Sequence, residues 1–75
     1  MNKFQVSFDY TGRAPVRSTL LGWIQATYSN VQAQSDVIFI ITTPDSEDNV
    51  RTNMERLDGK KYTGGQISGV EVEEC

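Results

Sequence analysis

Residues 3–10, Lys-Phe-Gln-Val-Ser-Phe-Asp-Tyr, alternate polar and apolar without a break. On an extended chain this puts Phe4, Val6, Phe8 and Tyr10 on one side and Lys3, Gln5, Ser7 and Asp9 on the other. A strand of this kind can bury one face only. Whatever packs on it must come from a single side, so the sequence demands a sheet with one covered face and one at least partly open.

The rest of the chain supplies the cover. Thr11, Gly12 and Arg13 read as a turn, and Pro15 suits a first helical position, where its missing N–H is not needed. Val16, Leu20, Trp23, Ile24, Thr27, Tyr28 and Val31 then recur at spacings of three and four, which predicts a helix over 16–31. Within it Gly22 either permits close packing or is merely tolerated at a cost of about 1 kcal/mol. Gln-Ala-Gln-Ser-Asp follows as a polar connector. Asp-Val-Ile-Phe-Ile-Ile-Thr-Thr, residues 36–43, is a β-branched run typical of a central strand.

Pro-Asp-Ser-Glu-Asp-Asn ends that strand and opens a second helix, with Asp45 or Ser46 as N-cap and acids in the first turn, where the helix dipole favours them. Val50, Met54 and Leu57 mark its buried side, and Gly59 suits its C′ position. Gly64-Gly65 predicts a tight turn pairing Tyr62 with Ile67. Ile67 is out of phase with Val70 and Val72, so a bulge at Ser68 and Gly69 is needed to return all three to one face. The predicted fold is an α+β two-layer sandwich in one domain, 1–75. It is a small ferredoxin-like or RRM-like β-α-β-α-β arrangement, with helices on one face of a three- to four-stranded sheet.

Seventy-five residues bury a smaller share of their surface than a longer chain does, so association with a partner or a second copy is a natural source of further burial. Cys75 is the only cysteine, which precludes an intrachain disulfide and suggests a reducing, cytoplasmic setting. No apolar run approaches the ~18 residues of a membrane span. Charge is uneven. Residues 1–35 hold three bases against one acid, a balance of +2, and residues 36–75 hold four bases against nine acids, a balance of −5. Phosphate-binding surfaces normally carry a basic surplus, so nucleic acid is disfavoured as a partner.

Leu-Asp-Gly-Lys-Lys-Tyr-Thr-Gly-Gly-Gln-Ile-Ser-Gly-Val, residues 57–70, resembles the end of an RNA recognition motif, where the second helix runs into a glycine, an aromatic, another glycine and a closing strand. The resemblance implies a four-stranded sheet with aromatic rings on its first and third strands for stacking bases. Two features depart from it. Only Pro44 to Ser46 separate the β-branched run from the acidic helix start, which leaves no room there for a third strand. The open side of the first strand carries Lys3, Gln5, Ser7 and Asp9.

Few catalytic constellations are available. Histidine is absent, which removes the commonest general base and metal ligand, and one cysteine builds neither a zinc site nor a supported nucleophile. Arg13 and Arg17, in the loop leading to the first helix, form an anion-binding candidate, similar in arrangement to the phosphate loop of acylphosphatases. That family's catalytic asparagine on the second strand has no counterpart in residues 36–43. Asp45, Glu47 and Asp48 lack the spacing of a calcium loop. No cofactor or metal is implied.

Two features suit protein binding. Only alternate residues of the 36–43 run can meet the helices, so Ile38 and Ile40, or the other alternate set, must find cover elsewhere. Asp45, Glu47, Asp48, Glu55, Asp58, Glu71, Glu73 and Glu74 can form a negative surface that steers a basic partner. The expectation is a small acidic, non-enzymatic protein-binding module. In size and charge it is similar to bacteriophage accessory proteins that inhibit or modulate host nucleic-acid-processing or defence proteins, which would place it in the host cytoplasm. The alternatives are a degenerate RRM-like RNA-binding domain and a small anion-binding or phosphoryl-processing enzyme using residues 11–17.

Overall fold

The computed structural model describes residues Met1–Cys75. Seven elements follow in order: β1 (Asn2–Gly12), α1 (Arg17–Gln25), β2 (Val31–Ala33), β3 (Ile38–Thr43), α2 (Glu47–Glu55), β4 (Lys61–Tyr62) and β5 (Gly65–Glu74). The strands form one sheet in the order β2-β3-β1-β5-β4, and every neighbouring pair is antiparallel. The sheet is curled into a half-barrel. β1, the strand with one apolar side, lies at its centre.

This corrects the predicted α+β two-layer sandwich. A five-stranded antiparallel sheet dominates, the helices are nine residues each, and the element order is β-α-β-β-α-β-β instead of β-α-β-α-β. The ferredoxin-like or RRM-like arrangement inferred from the sequence is therefore set aside. The error begins at α1. Its regular hydrogen bonding ends near Gln25, Thr27 and Tyr28 both donate to the Ile24 carbonyl, and Val31 to Ala33 pair with Ile41 to Phe39 as an edge strand. Val31 sits at helical spacing from Thr27 and Tyr28 by coincidence, and three residues are too few to display a strand's alternation. Residues 38–43 are consequently the third strand, the one for which no room had been expected.

The core lies on one side of the sheet. Phe4, Val6 and Phe8 of β1, Phe39 and Ile41 of β3, and Ile67 and Val72 of β5 meet Leu20 and Ile24 of α1 and Val50 and Met54 of α2 in a single buried cluster. Phe8 and Phe39 touch edge to face, with centroids 5.9 Å apart. Both helices thus cover the same face. Gly22 faces open space, with nothing within 4 Å of where a Cβ would stand, so it is tolerated and makes no close packing contact.

Local chemistry sets the connections. Ser46 caps α2, its hydroxyl accepting from the Asn49 N–H at 3.3 Å. The helix ends earlier than expected: α2 stops at Glu55 with Arg56 as its C-cap, so Gly59, with φ +84°, sits in the turn that follows and not at the C′ position. The β4–β5 turn differs from expectation. Tyr62 pairs with Gly65 around Thr63-Gly64, one step earlier than the Gly64-Gly65 turn that would have paired Tyr62 with Ile67. The positive φ belongs to Gly64, at +92°, and this decides which glycine takes the turn. The bulge forms where the phase change required it: Tyr10 pairs with Ile67 and Asp9 with Gly69, leaving Ser68 as the extra residue.

Candidate functional sites

The face of the sheet opposite the helices is built from the odd residues of β1 and the even residues of β3. Across it run two rows: Gln32, Ile40, Gln5 and Glu73, then Ile38, Ser7 and Glu71. Thr42 stands beside Lys3 in a third. Ile38 and Ile40 are partly exposed, shielded by sheet neighbours alone, because β5 lies beyond β1 and does not cross over them. Glu71 and Glu73 are exposed. None of these side chains is aromatic, so the face offers no ring on which a base could stack in the RRM manner.

The acids proposed from the sequence do not form one surface. Glu71 and Glu73 lie on the open face and Glu74 at its end, whereas Glu47, Asp48 and Glu55 belong to α2 on the other side of the sheet. Glu47 accepts from Arg51 Nη2 at 3.2 Å, and the same nitrogen donates to the Val72 carbonyl on the outer edge of β5 at 3.2 Å. Asp45 is tied inward, its carboxylate accepting from the Tyr28 hydroxyl at 3.0 Å. Asp48 and Glu55 are exposed and unpaired. No three cysteine or carboxylate groups converge as an ion would require. Of the nine candidates, Ile38, Ile40, Glu71 and Glu73 share one face.

Arg13 and Arg17 are also separated. Exposed Val16 forms a ridge between two depressions. Arg17 lines the outer one, with Pro15, Leu21 and Asp36, and its Nε donates to the Asp36 carboxylate at 3.2 Å. Arg13 lines the other, a cleft of about 450 Å³ between α1 and the β4 hairpin. The loop therefore does not close both guanidinium groups around one anion.

That cleft contains residues the sequence reading had assigned elsewhere. Val16, Thr19 and Trp23 come from one side of α1, and Lys61, Tyr62 and Thr63 from the hairpin. The Trp23 and Tyr62 rings lie 6.4 Å apart at 49°, with Lys60 Nζ 4.9 Å from the indole centroid. The Tyr62 hydroxyl donates to the Arg13 carbonyl, which ties the hairpin to the β1–α1 loop. Arg13, Lys60 and Lys61 have no carboxylate within 4.0 Å; the only two ion pairs are Arg17–Asp36 and Arg51–Glu47. Trp23 had been placed in the core stripe, but it flanks that stripe. The available signal was Lys60-Lys61-Tyr62, a basic and aromatic triplet inside the acidic half.

No protein-family model matches the chain, and neither the curated proteins nor the solved structures contain a match.

Proposed function

We propose that this chain is a small non-enzymatic protein-binding module whose open sheet face receives a partner with apolar and basic groups. One observation carries the reading: Ile38 and Ile40 stand partly exposed opposite both helices, two strands from Glu71 and Glu73. Two strand spacings are about 10 Å, so one partner surface can cover the isoleucines and answer the carboxylates together. Such a face suits a target presenting a basic, nucleic-acid-binding surface, as a phage-type inhibitor of a host enzyme would meet.

Size tempers the affinity. Four strands by six residues span on the order of 400 Å², roughly half of what one partner contributes to a standard interface. The complex is therefore salt-sensitive and transient, or the partner extends past the β5 edge towards Glu74. Ile38→Lys and Ile40→Lys test the apolar part, and Glu71→Lys with Glu73→Lys tests the charged part. Proteins recovered from a lysate by the wild-type chain should be lost on these substitutions, with the fold retained by circular dichroism. Recovery unaffected by all four changes refutes the proposal.

A further inference from the structure

We propose that the cleft between α1 and the β4 hairpin is a second site, independent of the open face, that binds a nucleotide through its base and its phosphate. Three observations converge on it. The cleft, at about 450 Å³, falls in the size range of small-ligand sites, and its wall is aromatic, formed by Trp23 and Tyr62. Arg13 and Lys61 line it and Lys60 sits over the indole, yet in a chain of net charge −3 with ten acids none of the three has a carboxylate partner. Thr19 and Thr63 also line the cleft and supply hydroxyls.

The residue types select the ligand. Unanswered cations beside an apolar wall favour an anion, and an aromatic wall favours a planar ring attached to it. A base against Trp23 and Tyr62, with its phosphate towards Arg13 and Lys61, meets both demands. The depression across the Val16 ridge does not compete, because Arg17 is already paired with Asp36 and no aromatic ring lines it. The same chemistry could come from a free nucleotide or from a base of a single strand.

Trp23 is the only tryptophan, so its emission reports on the cleft directly. The intact chain is titrated with uridine 5′-monophosphate, a short oligouridylate, uridine, inorganic phosphate and phosphotyrosine, exciting at the red edge of indole absorption. Saturable quenching by the monophosphate, with uridine and phosphate each far weaker, is the expected result. Arg13→Met and Lys61→Met keep the aliphatic stems and remove the charges, and each should weaken binding roughly tenfold, as loss of a charged hydrogen bond does. Lys61 is exposed and its side chain makes no hydrogen bond, so that variant folds regardless. Ile38→Lys should bind the nucleotide unchanged, which separates this site from the open face. Tighter binding of the oligouridylate per nucleotide identifies a strand as the source, and equal binding a free nucleotide. No saturable change, or phosphate or phosphotyrosine binding as tightly as the nucleotide, overturns the proposal.

Discussion

The Tyr28 hydroxyl donates to the Asp45 carboxylate at 3.0 Å. It also accepts from the Asn53 side-chain amide at 2.8 Å, so one phenol joins the α1–β2 connection, the β3–α2 loop and the second turn of α2. Tyr28 is buried. The triad is satisfied within itself, and this is why Asp45 cannot serve the surface role its acidity suggested. Tyr28→Phe should cost about 1–2 kcal/mol, since it leaves the Asn53 amide and the Asp45 carboxylate short of partners. A urea midpoint unchanged from wild type would contradict this.

The same tyrosine makes stability depend on alkaline pH. Burial pushes its pKa above the ordinary 10.0; the Asn53 hydrogen bond opposes the rise and the Asp45 carboxylate adds to it. The folded state therefore favours the neutral phenol. Its contribution is complete below pH 10.0 and is lost as pH climbs through the raised folded value. Tyr62 is shifted the same way, by desolvation and then by Tyr10, so two groups share the alkaline loss. Tyr28→Phe should make the fall in stability shallower without removing it, and an identical slope for both proteins would count against the mechanism.

Two glycines should respond in opposite directions. Gly22→Ala meets nothing within 4 Å and should stabilise by about 0.5–1 kcal/mol. Gly12 has φ +89°, and its Cβ would stand 2.8 Å from the Gly64 carbonyl oxygen. Gly12→Ala should cost roughly 2–4 kcal/mol from backbone strain and overlap together. Denaturation midpoints of the two variants are the check.

Deleting Ser68 should be far worse than replacing it. Without the extra residue, either Ile67 or the pair Val70 and Val72 turns away from the helices. The deletion should abolish cooperative unfolding, whereas Ser68→Ala stays within about 0.5 kcal/mol. A folded deletion variant would show that the register is not held by the core.

Neighbours on β3 should separate the two faces. Ile41 is fully buried and Ile40 only partly so. Ile41→Ala should cost about 2–5 kcal/mol and Ile40→Ala under ~1.5 kcal/mol. Equal costs would mean that the face opposite the helices is not open.

What could be read in advance was local in origin. The alternation from Lys3 to Tyr10 announced a one-faced strand, the phase slip after Ile67 announced the bulge, and the Asp45-Ser46 pair announced the start of a helix. Each is a constraint between residues a few positions apart, so the chain states it directly. The candidate site was legible only in part. Alternation required one alternate set of the 36–43 run to face away from the helices, but that the set is Ile38 and Ile40, and that it keeps company with Gln5, Ser7, Glu71 and Glu73, depends on how the strands flank β1.

The sequence by itself determined that this protein would bury one side of a central strand and leave the other uncovered, because a two-residue period cannot be satisfied any other way. Only the tertiary structure decided that residues 31–33 form an edge strand, that Asp45 turns inward to Tyr28, and that Trp23 meets Tyr62 beside three unpaired cations. These depend on contacts between segments distant in the chain. Such contacts are selected by how helices and strands share one limited apolar surface, and no single window of sequence carries that competition.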